Sequence, residues 1–447
     1  MLEGNLLLLV IAGAVILIIL AATLGKIHPF LSILTVTILT GLVVGMPPDK
    51  VLESIQAGFG NILGNIGLVV VLGSIIGVFL DKSGGAWKLA QAMLHATGQQ
   101  RLPLTVATLG AIVSIPVFCD SGFIILIGLV KSLAKRAAIA QPILALALAG
   151  GLYTTHTLVP PTPGPIAVTG NLGMNEHLGI VILLGLLLSI PAVLIAYFGA
   201  LFFGKNISVQ TTDTVQASPK ESPLALWKVI LPIFLPILLI TLASVFKIIA
   251  PNHHFGKWIQ FIGNPVIALL LSLLPALLLL PKRSKRATMM QWTSEAILQA
   301  GPILLLTGAG GAFGYLLKAT PLSDWAASWA DNGDLPGALF LVVGFALAAF
   351  LKTAQGSTTS ALVISSSILA PLAGMVGFND PIALSLLIAA IGAGGMVVSH
   401  VNDSYFWVVS QFSGINTRDT LRSFTLMTGL QGVGILLFVL LGYWLLT

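Results

Sequence analysis

Apolar residues run unbroken for long stretches of this chain, near residues 4–24, 28–46, 61–81, 178–204, 224–250, 262–281, 297–318 and 424–446. About 20 such residues let a helix cross a hydrocarbon layer of roughly 30 Å, so each run predicts a spanning helix. Two other stretches, 102–170 and 335–412, are apolar but interrupted by glycine, proline, serine, threonine and isolated charges. They predict broken or re-entrant segments. The one clearly aqueous linker is "GKNISVQTTDTVQASPKESP", residues 204–223. The first run follows Glu3 instead of a basic segment and exceeds the roughly 7–15 residues of a signal-peptide core, so it reads as a retained membrane helix.

The linker falls near the middle of the chain, which raises the question of a repeat. "GGLYTTH" ends at His156 and "GGMVVSH" at His400, an offset of 400 − 156 = 244. "VTGNLGMN" ends at Asn175 and "VSQFSGIN" at Asn416, an offset of 416 − 175 = 241, and "DSG" at Asp120 matches "GST" at Gly356, 356 − 120 = 236. Three ordered matches predict a duplication, with a first repeat over 1–203, the linker over 204–223 and a second repeat over 224–447.

Charge then orients the halves. Basic residues gather in "KSLAKR" (131–136), the linker, "KRSKR" (282–286) and Arg418/Arg422, which places these loops in the cytoplasm. The counterpart of "KSLAKR" in the second half lies near "SILAPLA", which carries no basic residue, so the halves should have opposite orientation. About five crossings per half, with 102–134 and 335–372 as re-entrant hairpins, would leave both termini outside. Inverted repeats with interrupted segments point to a secondary transporter whose site lies where the broken pieces meet.

Composition narrows the class. Only 8% of the 447 residues are charged and 56% are hydrophobic, against about 25% charged in soluble domains, so lipid must be the solvent for most of the surface. The fold class is therefore an all-α polytopic membrane protein. The single cysteine, Cys119, excludes a disulfide within the chain and a cysteine-based metal cluster. A formal charge of +6 gathered in a few loops is an orientation signal, not a nucleic-acid one. "GALFFGK" (199–205) has the glycine–lysine spacing of a phosphate loop, but Asn206 follows where Ser or Thr is needed. H-E-x-x-H and G-x-S-x-G do not occur, so those metalloprotease and serine-hydrolase chemistries lack their residues. Neither an enzyme nor a cofactor or metal is expected.

The candidate chemistry sits in the broken stretches. Asp120, in "PVFCDSGFII" (116–125), is the only charge between Arg101 and Lys131. Pro116 and Gly122 flank it, and non-helical backbone at membrane depth survives only inside protein or beside a wet cavity. An ionisable group there costs about 2.5–3.5 kcal/mol to insert and is a functional candidate by default. The bland alternative is a structural partner for a buried cation such as Lys352. "FLKTAQGSTTSALVISSS" (350–367) offers hydroxyls and Gly356 at a half-helix start, suited to an anion, while Lys352 could neutralise a substrate carboxylate or snorkel to the interface. "HTLVPPTPGP" (156–165) cannot be one continuous helix, and "HVNDSYFW" (400–407) gathers His400, Asn402, Asp403 and Ser404 beside aromatics.

These residues carry a resemblance. "HPF" (28–30), "DKSGGAWKLA" (81–90), "IPVFCDSGF" (115–123), "THTLVPPTPGP" (155–165), "LKTAQGSTTSALV" (351–363), "GGMVVSHVNDSYFW" (394–407) and "TLRSFTLMTGLQGV" (420–433) look like the gluconate permease (gluconate:proton symporter) family of bacterial inner-membrane carriers. The likeness runs essentially end to end. Where many relatives would carry a histidine between the prolines, this chain has Thr162. The resemblance implies uptake of a sugar acid such as gluconate driven by protons, an ion-transporter-like fold with an elevator-type transport domain, and a homodimer. On this reading Asp120 and Asp403 are the proton-coupling sites. Ser121, Gly122, His156, Thr157, Lys352, Thr353, Gln355, Gly356, Ser357, Thr358, His400, Asn402 and Ser404 are the substrate-binding candidates. Sodium coupling through the same carboxylates, and another small hydroxylated acid such as D-serine as substrate, are the alternatives.

Overall fold

The structure, a computed structural model, describes residues 2–23, 25, 27–97, 101–207, 224–249, 255–281, 285–321, 337–400 and 403–446. All regular elements among them are helices. In the first half these are α1 (Gly4–Thr23), α2 (Pro29–Val43), α3 (Pro48–Lys82), α4 (Gly85–Thr97), α5 (Leu102–Val113), α6 (Cys119–Ala137), α7 (Gln141–Leu158), α8 (Pro163–Asn171) and α9 (Leu178–Gly204). In the second they are α10 (Leu226–Ile249), α11 (Gly256–Ile262), α12 (Pro265–Ala276), α13 (Lys285–Lys318), α14 (Gly337–Gln355), α15 (Thr358–Ala373), α16 (Pro381–Met396), α17 (Ser404–Ser413) and, continuing from one α-helical turn (Thr417–Thr420) and a π-helical stretch (Leu421–Thr425), α18 (Leu426–Leu446).

Local chemistry sets many of the starts. Pro29, Pro48, Pro163, Pro265 and Pro381 each open a helix, where a missing N–H costs nothing. Asn264 and Asp380 cap the helices that follow by accepting backbone N–H bonds. Five described helices are long and apolar enough to cross a membrane, or up to seven if each bent pair is one span. The sequence-based count of about five spans per half is higher. Several apolar runs fold as shorter helices: the run at 262–281 contains α12 of only 12 residues, about 18 Å, and that at 28–46 contains α2 of 15 residues.

The expected interruptions are present. Residues 114–118 separate α5 from α6, 159–162 separate α7 from α8, 356–357 separate α14 from α15, and 397–403 separate α16 from α17. Helix starts in the second half follow those of the first at 265 − 29 = 236, 285 − 48 = 237, 358 − 119 = 239, 381 − 141 = 240 and 404 − 163 = 241 residues. The His156/His400 match at 244 lies outside that register. His156 sits inside α7, whereas His400 lies beyond the last residue of α16.

Two faces of the molecule differ in solvent. On α9, Leu183, Leu187, Ile190, Leu194, Phe198 and Phe202 are exposed at helical spacing, as expected of a lipid-facing stripe. Its opposite face buries Gly185, Ser189, Ala192, Ala196 and Gly199, small residues that let backbones approach. Helix α7 is buried from Pro142 to Leu158 and packs against α5, α6, α9 and α16. The Gly150–Gly151 pair permits this. A Cβ on Gly151 would collide with the Ala107 carbonyl on α5, and one on Gly150 would meet Ala196 of α9 at 2.7 Å. Around this centre, α3 and α13 lie along each other, and α13 also packs on α15 and α2.

Candidate functional site

Three helices begin at one place. Cys119 and Asp120 of α6, Thr358, Thr359 and Ser360 of α15, and Ser404 and Tyr405 of α17 line a cavity of about 440 Å³. Tyr153 and His156 of α7 form another wall. Pro302, Ile303 and Leu306 of α13, with His28 ahead of α2, complete the lining. A helix start presents backbone N–H groups without intrahelical partners and the positive end of the dipole. The cap on α6 is Phe118, whose side chain takes up none of the first-turn N–H groups of that helix. The cavity can therefore attract negative charge although two carboxylates line it.

The carboxylates differ in their partners. Asp403 caps α17, accepting from Tyr405 N at 3.1 Å, and its Oδ2 accepts from Lys352 Nζ at 2.6 Å and from the Ser399 hydroxyl. Lys352 is wholly buried, and its Nζ also donates to the Gly356 carbonyl at 2.7 Å. Tyr153 lies alongside, its ring centre 6.0 Å from that ammonium, close enough for a cation–π contribution. Asp120 interacts with the Ser404 side chain, while its buried Oδ1 has no hydrogen-bond partner.

Tyr153 knits the walls together. Its hydroxyl lies 2.7 Å from Thr358 Oγ1 and donates to the Gly395 carbonyl at 3.0 Å, joining α7 to α15 and α16. Its ring packs against Tyr405, Phe424 and His156. Tyr405 in turn donates to the Ala149 carbonyl at 3.0 Å. His156 is buried against Phe118 and Tyr153, with Nδ1 unpartnered.

Of the residues singled out from sequence, Asp120, His156, Gly356, Ser357, Thr358, Asp403 and Ser404 line the cavity. The others have different settings. Lys352 does not line it, because its ammonium is turned toward Asp403 and Gly356. Thr157 bonds the helix carbonyls of Tyr153 and Thr154, and Thr353 bonds that of Ala349. His400 Nε2 lies 2.9 Å from the Thr353 carbonyl, near the end of α14. Gly122 faces Leu152, where a Cβ would approach to 2.7 Å. Ser121 is half-buried outside the cavity. Asn402 lies outside the described residues, as does the Gln355 side chain. Tyr153, Tyr405, Thr359, Ser360, Cys119 and His28 line the cavity without having been selected. All six fall within stretches that the sequence marked, from "HPF" at 28–30 to "HVNDSYFW" at 400–407, but nothing in those stretches singled them out from their neighbours. Among the described residues, no group of three or more His, Cys, Asp or Glu side chains could hold a metal ion.

Comparison with known proteins gives a consistent setting. A family model described as GntP family permease matches residues 5–444. A gluconate permease of Pseudomonas aeruginosa is 32% identical over 444 residues, covering 97% of this chain and 96% of that protein. The inner membrane permease YgbN of Escherichia coli is 32% identical over 447 residues, covering 96% of each chain. Among solved structures, the YdaH transporter of Alcanivorax borkumensis, noted for an unusual topology, matches with a TM-score of 0.65 at 17% identity over 93% of this chain and 97% of its own, a likeness of fold. With several helices of spanning length and this end-to-end match, the chain is a multi-pass membrane permease and belongs to the GntP permease family.

Proposed function

We propose that the protein is a secondary active transporter that takes up gluconate or a related sugar acid together with protons, with Asp120 as the proton carrier. One observation carries this reading. Of the two carboxylates in the cavity, Asp403 is neutralised by Lys352 at 2.6 Å, whereas a buried oxygen of Asp120 has no partner. An intramembrane carboxylate without a paired charge favours taking up a proton, and the convergent helix starts suit the substrate's own carboxylate. Thr358, Thr359, Ser360 and Ser404 supply hydroxyls for those of a polyol acid. The gluconate permeases among the relatives support the substrate class.

The recurring order of helices, offset by 236 to 241 residues, supports two inverted repeats with the linker 204–223 between them. On this reading α5–α6 and α14–α15 are the re-entrant hairpins, both termini lie outside, and the broken helices move as an elevator against α3 and α13 in a homodimer. The test is uptake of labelled gluconate into proteoliposomes in sodium-free buffer with an inward proton gradient. Accumulation that collapses with an uncoupler is the expected result. Equilibration without accumulation would make the protein a passive pore, and uptake only with sodium would replace the coupling ion.

A further inference from the structure

Neutralising Asp403 accounts for the charge of Lys352 but not for where the break segments hold it. It is fully buried, yet it does not touch the cavity. Its ammonium donates to the Gly356 carbonyl at 2.7 Å and to Asp403 Oδ2 at 2.6 Å, and the Tyr153 ring lies on a further side at 6.0 Å. Gly356 takes φ +78°, a left-handed conformation natural to glycine, within the break between α14 and α15. Asp403 ends the break between α16 and α17, where Val398 holds φ +55°, which a β-branched residue rarely adopts. One positive charge thus ties together the two interruptions of the second half. The Ser399 hydroxyl donates to the same carboxylate, and Ser399 is anchored by its backbone N–H to Thr428 Oγ1 at 3.3 Å.

A backbone carbonyl freed by a helix break, a carboxylate and a hydroxyl are the oxygen donors that a hard cation selects. Here they surround a covalently attached one. We propose that the Lys352 ammonium stands in for a bound metal cation, so that the wild-type carrier needs no sodium, and that removing it opens a binding site for a small monovalent cation at Gly356, Ser399 and Asp403. This deepens the transport reading by naming the side chain that makes sodium dispensable. Lys352→Ala leaves Asp403 without its fixed counter-charge, which is the electrostatic condition for recruiting an ion from solution.

The experiment is a melting series on the purified full-length protein in detergent, in sodium, lithium, potassium or choline chloride at one ionic strength. Wild type should melt at the same temperature in all four. Lys352→Ala should melt lower in choline and rise saturably, by about 5 °C, with sodium or lithium, as expected for an ion that binds only the folded state. Lys352→Ala/Asp403→Asn, which removes both charges, should fold and show no such rise. A sodium-dependent wild type, or a folded Lys352→Ala that treats all four salts alike, overturns the proposal. If Lys352→Ala is not recovered folded in choline, extraction in sodium chloride is decisive. Monodisperse protein with sodium alone supports the site, and failure in every salt while the double variant folds overturns it. These readings need no substrate, so a failure of gluconate uptake would refute the transport reading and leave this result standing.

Discussion

Asp120 and Asp403 stand at the starts of two helices that face one cavity, and the protein treats them differently. Asp403 precedes its helix and caps it, with a buried ammonium and a hydroxyl on one oxygen. Asp120 lies one residue inside α6, where its side chain cannot serve as the cap, and one oxygen is left without a partner. A capped, paired carboxylate is fixed in charge and position. On the proposed reading, the one without a paired charge changes protonation without dismantling a helix start. The difference teaches that two acids in one cavity need not share a role, and that the surrounding donors, not the residue type, divide the work.

The largest effect expected on breaking this contrast is at Asp120. Asp120→Asn mimics the protonated form permanently, so accumulation of substrate should fall by about 100-fold or more, a loss in the range attributed to a missing proton-transfer group. Exchange of labelled for unlabelled substrate, which needs no net proton movement, should persist. Uptake against a gradient that matches wild type would remove Asp120 from coupling. Next comes Asp403. Asp403→Asn strands the buried Lys352 ammonium, at a cost of about 3–5 kcal/mol, and should appear as a lower melting temperature or poor yield. Lys352→Met/Asp403→Asn, which removes both charges, should recover most of that loss. Equal damage in the single and double variants would show that the pair is not what holds the two breaks.

Tyr153→Phe tests the wall shared by both carboxylates. It deletes a hydroxyl joining Thr358 and the Gly395 carbonyl and leaves those buried groups short of a partner, for about 1–3 kcal/mol of stability. Because Thr358 faces the cavity, KM should rise as well. A variant that melts like wild type would mean the ring alone carries the contact.

These contrasts were only half legible in the sequence. Asp120 announced itself because a lone carboxylate in an apolar run is costly, and Pro116 and Gly356 marked the breaks because proline and glycine act on the backbone locally. The long runs that became α9, α10 and α18 needed no more than hydropathy. Pairing is another matter. Lys352 meets Asp403 across 51 residues (403 − 352), and no spacing rule distinguishes that partner from Asp120. Tyr153 sits in a helix that is buried on every face, so no apolar stripe marks the face that turns to the cavity. Ser121 and Gly122 were grouped with Asp120 as neighbours in sequence, yet each helical step rotates a side chain by about 100°, which carries both away. His156 and His400 were matched by a shared Gly-Gly spacing, but one lies within its helix and the other beyond the end of its counterpart.

Thr157 gives the smallest effect and the sharpest check on where the cavity ends. It is buried one residue after His156, and adjacency alone would assign it to the substrate. Its hydroxyl instead lies 3.2 Å from the Tyr153 carbonyl and 3.1 Å from that of Thr154, bonds that return to its own helix and are made again by the backbone ladder. Thr157→Val keeps the shape and the β-branch while deleting these secondary acceptor contacts. The expected change in gluconate KM is less than twofold, with a stability cost within about 1 kcal/mol. Thr358→Val, by contrast, removes a cavity hydroxyl of the same kind and should raise KM several-fold. If Thr157→Val proved the more damaging to KM, the substrate would have to reach the far side of α7. The wall formed by Tyr153 and His156 would then be a partition between two parts of the site, and the contrast between the two carboxylates would need redrawing around it.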